Sequence, residues 1–117
     1  MWVVMNDSYI SAVQDRTNKM NLVVRARVRE DLENTFPTLK EQIIESIDSD
    51  YRFRLFVTKQ FFCGVMNTKI MDIDYDNFKN SVKQNWRHTA YFAIWTIMYN
   101  VQKKLYNDIY HSGDWVR

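Results

Sequence analysis

The chain has 117 residues, 46% hydrophobic, 26% charged and 15% aromatic, with a formal charge of +2; this is the composition of one globular domain and excludes disordered, fibrous and multi-domain chains. A lone cysteine, Cys63, excludes a disulfide framework and a cysteine zinc cluster, and two glycines cannot build a phosphate-cradling loop. No charged-then-apolar leader opens the chain, and the longest apolar run, residues 90–99 between Arg87 and Lys103, falls short of the roughly 20 residues of a membrane span, so a cytoplasmic, soluble protein with no membrane partner is expected.

In chain order, Trp2, Val3, Val4 and Met5 form a short apolar run, Asn6, Asp7 and Ser8 carry turn chemistry, and residues 9–14 are again rich in strand formers, which predicts a hairpin-like start. Residues 22–28 alternate at their end, with Val24, Ala26 and Val28 on one face and Arg25, Arg27 and Arg29 on the other, the period of a half-buried strand. Residues 29–36 read as a short helix, with Leu32 and Phe36 four apart and Pro37 stopping it. Residues 42–47 fit either a strand or a single helical turn. Residues 51–57 alternate again, with Tyr51, Phe53, Leu55 and Val57 on one face and Arg52 and Arg54 on the other.

Beyond residue 58 the period becomes helical. Thr58 suits the cap of a helix whose apolar residues are Phe61, Phe62, Val65, Met66 and Ile70, weakened by Gly64. From residue 75 to 107 the phase shifts: Phe78 and Val82 define a stripe beside Lys79, Lys83 and Arg87, whereas Ile94, Ile97, Val101 and Leu105 fall where those cations stood. One straight helix would bury the wrong set, so a break is predicted between Lys83 and His88. The expected fold class is α+β: a small antiparallel sheet of three or four strands with three or four helices packed on one face, in a single domain over residues 1–117.

Asp72, Asp74 and Asp76 resemble the opening of a calcium loop, but its sixth position holds Asn77 and its twelfth Lys83, where glycine and glutamate belong. Three acids placed before a helix are the plainer account. His88 and His111 lack partners at ligand spacing, and Cys63, inside an apolar stretch, is expected in the core. If strands 22–28 and 51–57 are neighbours, Arg25, Arg27, Arg29, Arg52 and Arg54 share the sheet face opposite the core, a panel that fits phosphates or an acidic protein surface. A solvated face neutralised by Asp15, Glu30, Asp31 or Glu33 is the alternative. On the last helix, the aliphatic side can cover the sheet, leaving Phe92, Trp95, Tyr99 and Tyr106 as a second, aromatic stripe. Either a partner covers that stripe, or the helix at 61–70 and Trp115 do so from within the chain.

The block Asp74-Tyr75-Asp76-Asn77-Phe78-Lys79-Asn80-Ser81-Val82, continued by Arg87-His88, Ala90-Tyr91, Trp95, Met98 and Gln102, resembles a group of short uncharacterised proteins found in bacteria and their phages. The arginine alternation of residues 25–28 and Phe36-Pro37 extend the resemblance over most of the chain. It implies a strand-rich front, a helical end and a phage or mobile-element accessory role, and no catalytic residue. The expected function is therefore a non-enzymatic protein-interaction module, without metal or cofactor, that binds and inhibits a host defence or nucleic-acid-processing complex or pairs with itself as a homodimer. Phe92, Trp95, Tyr99 and Tyr106 would anchor it and Arg25, Arg27, Arg52 and Arg54 would steer it. The alternative is a nucleic-acid-binding domain using the arginine face; a metal-dependent hydrolase built on the three aspartates ranks third.

Overall fold

The computed structural model describes residues 1–110, with side chains described as far as Asn107. The chain divides into two units, Met1–Asp76 and a second that begins at Asn77.

The first unit is a five-stranded antiparallel sheet in the order β1-β2-β3-β5-β4. β1 (Trp2–Met5) and β2 (Ser8–Gln14) make the predicted hairpin, with Asn6 and Asp7 in the turn and Met5 opposite Ser8. β3 (Asn21–Ala26) pairs with β2 and, on its other side, with β5 (Phe53–Thr58), so that Val24 faces Leu55 and Arg25 faces Arg54. The stretch 42–47, which suited strand or helical turn, holds β4 (Ile44–Glu45), a two-residue edge strand, and a 3-10 helix over Pro37–Gln42 precedes it. That strand takes the sheet beyond the three or four expected.

One face of the sheet carries the core. Ile10, Ala12, Val24, Ala26, Leu55 and Val57 meet Leu32 and Phe36 from α1 (Arg29–Thr35) and its end, and Phe62 from α2 (Lys59–Met71). Each large aliphatic or aromatic side chain so enclosed stabilises the fold by about 1.5–3 kcal/mol. α1 lies over β2, β3 and β5. It is fastened by the buried Asp31, whose carboxylate accepts the Tyr9 backbone N–H at 3.0 Å. Thr58 caps α2 as expected, its hydroxyl accepting the Phe61 N–H at 3.0 Å, and Lys69 donates to the Asn34 carbonyl at 3.0 Å.

Two sequence expectations are corrected within this unit. Tyr51 is buried, yet not among the core side chains; it precedes β5 and lies on the opposite, open face of the sheet. Cys63 is exposed, because one residue of helix turns it about 100° away from the inward-facing Phe62.

In the second unit, α3 (Phe78–Ser81) is a single turn capped by Asn77, whose side chain accepts the Asn80 N–H at 3.1 Å. The three preceding aspartates are not its cap. Val82 is extended and buried, and α4 (Asn85–Tyr110) begins after it. The break falls where the change of phase required it, and α4 starts three residues earlier than the expected His88. Its effect is to let Phe78 stack on Tyr91, with centroids 5.9 Å apart and planes at 17°. Arg87, 1% exposed, donates through Nε to Gln84 Oε1 at 2.8 Å and through Nη1 to the Tyr91 hydroxyl at 3.2 Å.

Candidate functional site

Two surfaces, one in each unit, gather the residues singled out in the sequence. The first is α4. Phe92, Trp95 and Tyr99 follow the three-four spacing and stack along the helix, with centroids 5.9 Å apart at 13° and then 5.2 Å apart at 11°. Lys79 Nζ sits 4.5 Å from the Trp95 ring centroid and 5.9 Å from that of Phe92, and Lys103 Nζ 5.6 Å from that of Tyr99, so each ring of the ladder has a cation near its face. Tyr106 continues the stripe two turns on. These four rings are between 44% and 51% exposed. The aliphatic side fares no better: Ile97, Val101 and Leu105 are exposed, and so is every residue from 97 to 107. Of the expected aliphatic side, Ile94 is half-buried, while Ile97, Val101 and Leu105 are exposed. The aromatic stripe is likewise not enclosed; Trp115, expected to help cover it, lies outside the described residues.

The charge on this segment is one-sided. From residue 77 to 107 the chain carries Lys79, Lys83, Arg87, Lys103 and Lys104 and no aspartate or glutamate.

The second surface is the open face of the sheet. β3 and β5 are neighbours as expected, and Arg25 and Arg54 stand directly opposite each other. Each guanidinium donates through Nη2 to a serine hydroxyl, Arg25 to Ser11 and Arg54 to Ser49, both at 2.9 Å. Their Nε atoms are buried without a hydrogen-bond partner, and neither arginine is paired with a carboxylate among the described residues. With Val13, Gln14, Asp15, Arg16, Val23 and Phe56 they line an open hollow of about 420 Å³, in which Asp15 is the one acid and accepts from Thr17.

The other arginines are engaged elsewhere. Arg27 lies just past the end of β3 with its guanidinium 4.2 Å from the Tyr51 ring centroid; that of Arg25 is 4.4 Å away. Arg52 pairs with Glu45 at 2.6 Å. Arg29 opens α1 rather than extending the strand, and pairs with Glu33 at 3.3 Å. The five-residue panel thus contracts to Arg25 and Arg54, with Arg27 beside them on Tyr51.

Tyr51 organises this face. Burial is the largest influence on its phenol and pushes the ionisation up, but hydrogen bonds with Ser11 and Arg27, the Arg27 charge and a hydrogen bond with Trp2 together hold it below the ordinary value of 10.0. Phe56, 45% exposed on the same face, was not singled out, although it shares the alternation of Arg52 and Arg54.

Asp72, Asp74 and Asp76 are all exposed, and among the described residues no three acidic, histidine or cysteine side chains converge as a metal site would need. The hydrolase alternative gains no support from them. His88 is exposed, and His111 lies outside the described residues. No described helix is long and apolar enough to cross a membrane. Compared with protein-family models, curated proteins and solved structures, the chain matches none.

Proposed function

We propose that the protein is a non-enzymatic interaction module that docks another protein along α4. The observation that carries this is the exposed second half of that helix: Ile97, Met98, Tyr99, Val101 and Leu105 are all exposed. A helix without tertiary packing is marginal in water, and large exposed apolar surface marks an interaction site. Trp95 and Tyr99, already stacked and flanked by lysines, have the composition of binding hot spots. The lack of any acid from 77 to 107 favours a partner whose apolar groove is rimmed by carboxylates. Pairing of α4 with a second copy of itself would set Lys103, Lys104 and Arg87 of each helix against those of the other, with Asp108 as the single acid to offset them. Resemblance to bacterial and phage proteins supports the narrower form, in which the partner is a host complex and docking blocks it.

Hydrogen exchange and comparative capture test this. Amides 97–107 should exchange fast in the isolated protein and become protected in the captured complex. Trp95→Ala/Tyr99→Ala should abolish capture with the helical circular dichroism unchanged. Amides 97–107 as protected as those of β3 in a monomer would overturn the proposal, as would capture indifferent to the double substitution. A stable dimer that buries the ladder would replace the foreign partner with a second copy.

A further inference from the structure

We infer that the open face of the sheet is a binding site for single-stranded nucleic acid, which places one phosphodiester between Arg25 and Arg54 and the adjoining base on Phe56. The inference is independent of α4 and rests on residues of the first unit alone.

Two like charges set opposite each other on paired strands destabilise a sheet, and a buried donor without a partner adds to that cost. Arg25 and Arg54 incur both penalties; against them stand the neutral hydroxyls of Ser11 and Ser49 and, for Arg25, the face of the Tyr51 ring. An anion with more than one oxygen, placed between the two guanidinium groups, offsets their mutual repulsion, and the guanidinium fork matches phosphate oxygens in a plane. The hollow these two arginines line is open and contains Phe56, two residues along β5 from Arg54 on the same face. A ring beside a phosphate site, on an antiparallel sheet, is the arrangement by which bases stack on strand aromatics.

The distribution of charge sets the length of nucleic acid engaged. Residues 1–76 hold twelve acids and ten bases, so a long duplex backbone would meet repulsion over most of this unit. A flexible strand can lay one or two phosphates where the cations are and turn away elsewhere.

Fluorescence anisotropy with a labelled oligothymidylate of about ten nucleotides decides the matter. At about 20 mM salt the strand should bind, with a log-log salt slope of about −0.7 to −1.4, the value for one or two phosphates on a single strand. Arg25→Gln and Arg54→Gln should each weaken binding about tenfold, and Phe56→Ala by a similar factor through lost stacking. Amide resonances of Val13, Val23 and Phe56 should shift in the unsubstituted protein, a readout that survives if any variant fails to fold. No binding at low salt, or affinity unmoved by Phe56→Ala, overturns the inference. So does a glutamate-rich peptide binding as tightly as the strand, since the occupant would then be an acidic protein segment. Thymidine monophosphate binding as well as the oligonucleotide would make the site one for a free nucleotide instead.

Discussion

Asp31 shows how much one side chain can hold. It is an acid in the first turn of α1, 3% exposed, and its carboxylate accepts the Tyr9 amide across 22 residues of sequence. Asp31→Ala leaves that amide without its acceptor, and urea unfolding should show a loss of about 2 kcal/mol. Tyr51 makes a different prediction. Its phenol ionises below 10.0 in the folded protein, so ionisation favours the folded state. The contribution is absent at neutral pH, grows as pH rises through the folded value and is complete above about 10. Absorbance at 295 nm should detect this early-ionising tyrosine, and Arg27→Ala should move its titration upward. Titration of Tyr51 at or above the ordinary value would remove Arg27 from its surroundings.

At the level of elements, α2 is held by a cap and weakened by a glycine. Gly64 is exposed in mid-helix and nothing lies within 4 Å of where a Cβ would stand, so Gly64→Ala should stabilise the protein by up to about 1 kcal/mol. Thr58→Ala removes the hydroxyl that accepts the Phe61 N–H and should cost about 1 kcal/mol; thermal unfolding of the pair, with opposite signs, checks both. Periodicity made several elements legible. The alternation at Val24 and Leu55 marked β3 and β5, and the rotation of the stripe between Val82 and Ile94 located the break before α4. Period alone did not reveal the side of the sheet on which Tyr51 lies, since it precedes the strand and is drawn to Arg25, Arg27 and Ser11. Nor did it expose the engagement of Arg52 by Glu45, because β4 is two residues long and too short to carry a pattern. The aromatic ladder was readable because it lies within one helix; the Arg25 and Arg54 hollow needed strand register as well.

For the molecule as a whole, the main cluster of buried hydrophobic side chains comes from residues 10–62, inside the first compact unit. A chain ending at Asp76 should therefore keep its sheet and unfold cooperatively, as circular dichroism on heating would show; a molten fragment would mean that the core depends on later residues. The charges divide unevenly along the sequence: acids outnumber bases up to Asp76, and none occurs from 77 to 107. That segment has no carboxylate to protonate. Acidification thus cannot weaken the helix's own attraction for an anionic surface. If a complex formed through α4 dissociates as the medium turns sour, the titrating groups responsible belong to the other molecule, and the midpoint of release reads out their chemistry.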